Sequence, residues 1–455
     1  MIVVKFGGTS VGDADAIRRT AEIVRGRLGR KPVVVVSALA GTTNALIALA
    51  EQAARGQLIG AVRNVQALRE RHLQQADRLL GDTAECADVC AEMSVLFDEL
   101  AHLAEALSVL GDLTPRSLDA IAATGERLSS LLVAGAYRRC GLPAQHVDAR
   151  DVMITDDTFT RAEPQPDAIA EAGRQLLLPL VREGKVPVLG GYIGSAQASR
   201  VTTTLGRGGS DYSASLIGAA LQADAIEIWT DVDGMLTADP RVVSGARLIE
   251  RIGFEEAAEL ASFGAKVLHP NTIAPAVVRG IPVIVLNSRR PDGPGTLIAF
   301  DAPRRPVTAI AGKGNTALVR VRTPRMLMTE GFMRTLFSVF EARRTPVDVV
   351  ATSEVSVSLT VDETAPLDAL VGELRELGDV SIERGRGIVA VVGAGLSDGG
   401  GAMARALQTI GDVHVHMLSL SATGINLTVV VDGPQVYPLM QRLHEAFFGD
   451  EGGPS

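Results

Sequence analysis

Five short apolar runs, spread over residues 1–300, constrain the fold of this chain more than any other feature. They lie at Ile2–Phe6, Val33–Ser37, Val186–Gly190, Ile226–Thr230 and Pro282–Leu286. Each is a nearly unbroken run of Val, Ile and Leu, a pattern typical of strands buried on both faces. Helical patterns, such as Ala14–Arg27 and Asp211–Gln222, lie between them. The alternation predicts an α/β fold with a mostly parallel sheet sandwiched by helices.

The segment from about residue 45 to residue 112 interrupts this alternation. It contains no strand-like run and is rich in Ala, Leu, Gln, Glu and Arg. A helical subdomain is therefore expected there.

Composition excludes several classes of protein. The net charge of −9 argues against a non-specific nucleic-acid binder, which usually carries a basic surface. No apolar run nears the roughly 18 residues of a membrane helix, and the N-terminus lacks a signal-peptide pattern, so a cytoplasmic protein is expected. Cys86 and Cys90 are one helical turn apart, without matching ligands nearby, and are interpreted as helix packing rather than a metal site.

The pattern changes after the Pro- and Gly-rich stretches at residues 293–295 and 303–306. From Asn315 the chain resembles a βαββαβ unit, and Ser353–Val361 aligns with a second copy at Ser421–Val429. Two tandem α+β modules are the economical interpretation. The predicted domains are residues 1–300, a linker at 301–314, and modules at 315–390 and 391–455. Such modules suggest ligand sensing, although a dimerisation platform is the alternative.

Two glycine-rich segments are candidate anion sites. Lys5–Ser10 follows the first strand, where ligands bind in open α/β sheets, and its glycines allow backbone amides to approach a phosphate. Thr202–Tyr212 adds three glycines, Arg207 and Asp211. Taken alone, the latter can also be a simple turn between strand and helix. Neither a Walker phosphate loop nor a dinucleotide motif is present.

Two further motifs leave alternatives open. Ser37–Asn44 can bind an anion, or Thr43 or Asn44 can merely cap a helix. Glu126 lies on an apolar helix and needs a partner, which can be a substrate ammonium or an arginine such as Arg127.

Acidic and basic residues after later strands indicate a nucleotide site. Asp231, Asp233 and Asp239 follow a buried strand but lack EF-hand spacing, so a nucleotide-binding loop is the more natural interpretation. Lys266, within Phe263–Pro270, can serve a phosphate or be a solvated helix end.

Taken together and in this order, these motifs resemble those of the aspartate kinase family, and the C-terminal pair resembles its tandem ACT modules. The likeness covers essentially the whole chain. It implies an amino-acid-kinase fold and transfer of the γ-phosphoryl group of ATP, with Mg²⁺, to the β-carboxylate of L-aspartate. The product, 4-phospho-L-aspartate, opens the lysine, threonine and methionine pathway.

The resemblance also implies roles for individual residues. The implied catalytic residues are Lys5, Gly8 and Asp211, with Asp211 organising the lysine. The implied aspartate site is Thr43, Glu126 for the amino group, Tyr192, Arg207 for the α-carboxylate, and Ser210. The implied nucleotide site is Lys5, Gly7, Gly8, Thr230, Asp231, Arg241 and Lys266. Leu236 departs from the family, whose members often carry tyrosine near the adenosine.

The chemistry agrees with this assignment. Phosphoryl transfer needs mostly positioning and charge stabilisation. The attacking carboxylate is already ionised at neutral pH, so no strong general base is needed, and no histidine lies in the glycine motifs. No protein-held metal centre is expected beyond Mg²⁺ bound with ATP.

A regulatory site is implied by similarity to lysine-sensitive relatives. Its residues are Met326, Thr329, Phe332, Met333, Val347, Asp348, Ser353 and Glu354. Asp348 and Glu354 are expected to bind a cationic amino acid and Ser353 its carboxylate, with lysine the expected effector and threonine still open. In the second module Ala422 replaces Glu354, so one effector site per chain is expected, at an interface between two chains of a homodimer or a dimer of dimers. An ordinary sheet–helix interface is the alternative.

Two other functions stay open from the sequence. One is a kinase of the same fold that phosphorylates another amino-acid carboxylate. The other is a catalytically silent amino-acid sensor, against which the retained Lys5, Arg207 and Asp211 argue.

Overall fold

A computed structural model describes residues 1–263, 270–324, 326 and 330–449. Its strands, in chain order, are β1 (Ile2–Phe6), β2 (Pro32–Val36), β3 (Ala144–His146), β4 (Ile154–Thr155), β5 (Val186–Gly190), β6 (Ile193–Ala196), β7 (Thr202–Thr204), β8 (Ala225–Thr230), β9 (Arg251–Ile252), β10 (Val283–Asn287), β11 (Thr296–Ile298), β12 (Ala309–Arg322), β13 (Val350–Thr352), β14 (Ser356–Asp362), β15 (Asp379–Val392), β16 (Met417–Leu420) and β17 (Asn426–Asp432).

Helices connect most of these strands. In chain order they are α1 (Ala14–Arg25), α2 (Thr42–Ala54), α3 (Leu58–Leu80), α4 (Ala84–Leu110), α5 (Pro115–Ala122), α6 (Thr124–Arg139), α7 (Ala149–Val152), α8 (Pro166–Ala172), α9 (Leu178–Arg182), α10 (Gly209–Leu221), α11 (Phe254–Ser262), α12 (Pro270–Val278), α13 (Phe332–Ala342), α14 (Leu367–Leu374), α15 (Gly401–Ile410) and α16 (Val436–Phe448). None of the helices in the described ranges is both long enough and apolar enough to cross a membrane.

The chain divides into two compact units. The first contains Met1–Gly234 and Asn271–Phe300, and the second contains Met235–Pro270 and Asp301–Ser455. The second unit therefore includes a segment that precedes the end of the first in sequence. The domain limits expected from the sequence stay predictions.

The first unit is built on the predicted parallel sheet. Its strands lie in the order β3-β5-β2-β1-β8-β10-β11, and all neighbours are parallel except β10 and β11. Strands β1, β2 and β5 are buried along their whole length, as their unbroken apolar runs predict. A smaller sheet has the order β4-β6-β7.

The segment expected to be helical is helical. Helices α2, α3 and α4 fill residues 42–110, and α4 is capped by the Thr83 side chain, which accepts a hydrogen bond from the amide of Cys86. Cys86 and Cys90 lie on α4 with their sulfurs 3.7 Å apart and pack against the core of the first unit.

The second unit carries the predicted tandem modules on one antiparallel sheet, in the order β13-β14-β12-β15-β17-β16. The aligned repeats form β14 and β17, and helices α13 and α15 precede them. Two apolar cores lie along this sheet. One contains α13 and α14 and the other α15 and α16, and the long strands β12 and β15 contribute residues to both.

Candidate functional site

A pocket of about 600 Å³ lies in the first unit. The ends of β1, β2 and β5 form its floor, because these parallel neighbours all end at the same edge of the sheet. The starts of α2, α6 and α10 complete its walls. The predicted catalytic and substrate residues all line it: Lys5, Gly8, Thr43, Glu126, Tyr192, Arg207, Ser210 and Asp211. Residues up to 206 positions apart in the chain thus share one cavity.

Lys5 and Asp211 form an ion pair in this pocket. The Nζ atom of Lys5 lies 2.7 Å from Oδ1 of Asp211, and the two side chains are only 9% and 15% exposed. Lys5 is the penultimate residue of β1, and Asp211 is in the first turn of α10. The pair fixes the lysine ammonium in a cavity wide enough for a ligand.

Glycines shape the wall around this ion pair. A Cβ atom at Gly209 would lie 2.6 Å from the Tyr192 ring, and one at Gly8 would lie 2.9 Å from the carbonyl oxygen of Ala38. Neither position has room for a larger residue without movement of its neighbours. Gly209 opens α10, so the N-terminal end of that helix, which favours anions, borders the pocket.

Glu126 is buried and incompletely paired. Its Oε1 accepts a hydrogen bond from the amide of Ala38 at 3.2 Å, whereas its Oε2 has no partner among the described residues. Burial raises its pKa to about 8. Arg127, the possible internal partner, instead donates to Glu99 at 3.0 Å. The free oxygen of Glu126 is therefore available to a cationic group in the pocket.

Arg207 is exposed in the same pocket. No acidic side chain within the described part of the protein pairs with its guanidinium. An arginine fork without a partner can bind a carboxylate through two parallel hydrogen bonds. One cavity thus holds an unpaired cation and a carboxylate with a free oxygen, which together match the two charges of an amino acid.

The start of α2 resolves one of the alternatives left by the sequence. The helix begins at Thr42 and its N-cap is Gly41, which makes no side-chain cap. Capping by Thr43 or Asn44 is therefore wrong, because both residues lie inside the first turn. Both line the pocket instead. Asn44 belongs to the candidate anion-binding segment Ser37–Asn44, but the family resemblance gave it no role in the aspartate site.

The structure brings only some of the predicted nucleotide residues together. The amide of Gly7 donates to the carbonyl oxygen of Trp229 at 3.0 Å, which joins the glycine turn to the end of β8. Thr230 and Asp231 follow directly, and their side chains hydrogen bond at 3.3 Å.

The remaining nucleotide residues belong to other parts of the chain. Arg241 lies in the second unit, where its guanidinium is 2.6 Å from Asp239. Leu236, also in that unit, forms a β-bridge with Leu248. Lys266 lies outside the described residues.

The acidic loop after β8 does not form a metal centre in the described structure. Asp233 accepts a hydrogen bond from Asn287 at 2.7 Å and pairs with Arg290. Across the described ranges, no group of three or more His, Cys, Asp or Glu side chains is placed to hold a metal ion.

The predicted effector residues divide into two groups. Met326, Phe332, Met333 and Val347 pack into the core that contains α13. Asp348 follows, with its carboxylate oxygens 2.9 Å from Nζ of Lys313.

The second group lies at the other end of β13. Ser353 and Glu354 are exposed in the turn between β13 and β14, and the hydroxyls of Ser353 and Ser356 are 2.7 Å apart. Thr329 lies outside the described residues.

The chain is similar in sequence to a known family of proteins. Residues 1–287 match the model of the amino acid kinase family. The chain is 39% identical to the lysine-sensitive aspartokinase 3 of Escherichia coli, over 98% of this chain and 99% of that protein. It is 36% identical to the chloroplastic aspartokinase 3 of Arabidopsis thaliana, over 98% of this chain and 81% of the other.

Solved structures of aspartokinases have a similar fold. The fold is similar to that of E. coli aspartokinase III in complex with aspartate and ADP, in its R-state, with a TM-score of 0.85 over 98% of this chain and all of that one, at 39% identity. The same enzyme in complex with lysine and aspartate, in its T-state, gives a TM-score of 0.82 over 98% of this chain and 99% of that one.

Proposed function

Because the chain belongs to the aspartokinases of the amino acid kinase family, we propose that its pocket is where ATP phosphorylates the β-carboxylate of L-aspartate. One observation carries the proposal: an unpaired Arg207 and a free oxygen of Glu126 line the same cavity as the Lys5–Asp211 ion pair. The first two groups suit the α-carboxylate and the ammonium of a free amino acid. The ion pair then lies where the reacting carboxylate and a phosphate can meet.

Each residue has a role that its surroundings support. Lys5 neutralises charge on the transferred phosphoryl group, and Asp211 holds the lysine by their ion pair. Gly7 and Gly8 face the phosphates: the amide of Gly7 holds the turn against Trp229, and Gly8 presents its backbone amide to a phosphate. Thr43, Tyr192 and Ser210 border the bound aspartate. The attacking carboxylate is ionised at neutral pH, so its lone pair attacks the γ-phosphorus while the bond to ADP breaks.

The nucleotide is proposed to bind beyond the phosphates through Thr230, Asp231, Arg241 and Lys266. Mg²⁺ is proposed to enter with ATP, since this ion usually keeps several waters and takes one or two carboxylates besides the phosphates. Asp211 fits that demand, because it is a carboxylate that lines the pocket beside Lys5 and no larger acidic cluster is present among the described residues.

Regulation by lysine is also proposed. The E. coli relative is named lysine-sensitive, and Asp348 provides a half-buried carboxylate in the second unit for an ammonium group. We propose that lysine binds there, with Glu354 and Ser353 at the nearby turn, at an interface between two chains of a homodimer or dimer of dimers formed through the C-terminal modules. The protein is proposed to work in the cytoplasm.

A substrate panel tests the proposed activity. ADP release is measured in a coupled assay with aspartate, glutamate or N-acetylglutamate as the acceptor. Aspartate is expected to be the preferred acceptor, and Asp211→Ala is expected to lower kcat by about 100-fold or more, since it frees the ammonium of Lys5. Asp224→Ala, which removes an exposed carboxylate of the same unit, is the matched control.

Two results would count against this function. Turnover of glutamate or N-acetylglutamate without turnover of aspartate would reassign the substrate. An Asp211→Ala variant as active as Asp224→Ala would remove the proposed mechanism.

A further inference from the structure

Asp119 is a buried carboxylate that lies outside the pocket. It is on α5 and only 1% exposed. Its Oδ1 accepts a hydrogen bond from the hydroxyl of Thr204 at 2.7 Å. Its Oδ2 accepts from the amide of Thr204 at 3.0 Å and from the amide of Thr160 at 2.9 Å. A buried carboxylate is costly unless it is fully paired, so these three bonds are a specific arrangement.

The groups that Asp119 holds lie next to the arginine of the substrate pocket. Thr204 ends β7, three residues before Arg207. The next amide, that of Leu205, donates to the carbonyl oxygen of Tyr192 at 2.9 Å, and Tyr192 lines the pocket. Fixing Thr204 therefore fixes the point from which the Arg207 loop departs.

The second group held by Asp119 is a strained turn. Thr160 has φ of 69°, in the left-handed region, where a β-branched residue costs on the order of 1–3 kcal/mol. Its carbonyl oxygen is 3.2 Å from the position of a Cβ on Gly206, the residue before Arg207. The amide of Ala162 donates back to the carbonyl oxygen of Thr204 at 2.9 Å. The Thr160 turn and the end of β7 are thus hydrogen bonded to each other, and Asp119 is bonded to both.

From these contacts we propose that Asp119 is a positioning residue for substrate binding. Its carboxylate holds Thr204 and the Thr160 turn, and the two together orient the Gly206–Arg207 segment toward the α-carboxylate of aspartate. Asp119 itself does not touch the substrate. The proposal rests on the proposed aspartate kinase function and concerns aspartate rather than ATP, because the braced segment leads to Arg207.

Two neighbouring threonines provide a matched test. Thr203 and Thr204 are both fully buried in β7, and each hydroxyl makes a short hydrogen bond. The hydroxyl of Thr204 bonds Asp119 and is also in hydrogen-bond contact with the side chain of Tyr192, whereas that of Thr203 bonds Thr155 at 2.7 Å. Thr204→Val and Thr203→Val are the same isosteric change in one strand, so they differ in the partners that are lost. Asp119→Asn keeps the hydroxyl of Thr204 beside Tyr192 and so tests the contact with Asp119 by itself.

Steady-state kinetics of the full-length variants measures the effect. Thr204→Val is expected to raise the KM for aspartate by roughly five- to tenfold, as the loss of a hydrogen bond to a charged group would, with kcat and the KM for ATP within about twofold. Thr204→Ser, which keeps the hydroxyl, is expected to restore the KM. Asp119→Asn is expected to raise the KM for aspartate further, and Thr203→Val to leave it unchanged.

The outcomes separate this proposal from the assigned reaction. If the unaltered protein does not phosphorylate aspartate, the reaction is wrong. If it does, and either Thr204→Val or Asp119→Asn leaves the KM for aspartate unchanged or changes it no more than Thr203→Val, the positioning role is wrong. A parallel rise in the KM for ATP would also overturn it, and melting curves of all four variants check that each one is folded.

Discussion

Glu126 is only 3% exposed, and one of its oxygens has no partner among the described residues. Its pKa of about 8, against an ordinary value of 4.5, means that the carboxyl group is mostly protonated at pH 7 in the free protein. In the unfolded chain the same group is ionised above about pH 4.5. The free energy of unfolding contributed by this residue therefore falls as the pH rises from about 4.5 to about 8.

This burial predicts that aspartate binding releases a proton. The ammonium of the substrate favours the ionised carboxylate, so binding lowers the pKa of Glu126 and frees its proton. Calorimetric titration at pH 7, in buffers with different ionisation enthalpies, is expected to report release approaching one proton per site. The same experiment with Glu126→Gln is expected to show weaker binding and no such release. Equal proton release by both proteins would rule out Glu126 as the ammonium partner.

At the residue scale, the sequence indicates groups but not their pairings. The motifs point to Lys5, Glu126, Arg207 and Asp211, because glycines and charges beside buried strands are unusual. The partner of Arg127 is Glu99 on a different helix, and the bonds of Asp119 reach from α5 to β7. Contacts between distant parts of the chain leave no local pattern, so neither could be predicted.

At the element scale, the strands and helices of the first unit follow closely from apolar periodicity. The run predicted at Val33–Ser37 forms β2 at Pro32–Val36, and the helix predicted at Ala14–Arg27 ends at Arg25. The course of β12 could not be predicted from the sequence. It runs unbroken from Ala309 to Arg322, across the predicted linker limit, and takes up a register irregularity near Lys313.

Lys313, where that irregularity begins, lies against the proposed effector site. Its Nζ is 2.9 Å from Asp348 and 2.7 Å from Asp362. Burial raises the pKa of Asp348, and the ion pair with Lys313 opposes that rise. An internal ammonium thus lies where the ammonium of lysine is proposed to bind.

Removing this ammonium is predicted to sensitise the enzyme. Lys313→Met frees Asp348 for the effector, so half-maximal inhibition is expected at roughly two- to fivefold lower lysine, the scale of a partly exposed ion pair. Arg343→Met, which breaks an exposed pair with Glu373 in the same module, is the control and should not change sensitivity. Inhibition titrations at fixed aspartate and ATP provide the measurement. Unchanged or weaker inhibition of Lys313→Met would refute the competition.

At the scale of the whole molecule, the two units have separate cores and, as proposed, separate ligands. A ligand that binds only the folded state stabilises it by about 2.7 kcal/mol at 100 times its Kd. Aspartate is therefore expected to raise the melting temperature of the first unit and lysine that of the second.

Scanning calorimetry with each ligand in turn measures these shifts. Glu126→Gln should abolish the shift caused by aspartate but keep the shift caused by lysine, and Asp348→Asn should do the reverse. Loss of both shifts in either variant would place the two ligands in one site.

The second unit is built from two separate segments of the chain, which has a consequence for folding during translation. Its segment Met235–Pro270 leaves the ribosome well before the sheet to which it belongs. Within it, Glu256 is buried and accepts hydrogen bonds from the hydroxyl of Thr308 and the amide of Ala394. Until those residues are synthesised, the carboxylate of Glu256 keeps the amide of Gly253 as a partner but lacks the other two. At roughly 5–20 residues per second, this wait lasts on the order of ten seconds, a window in which a nascent chain is open to chaperones and to misfolding.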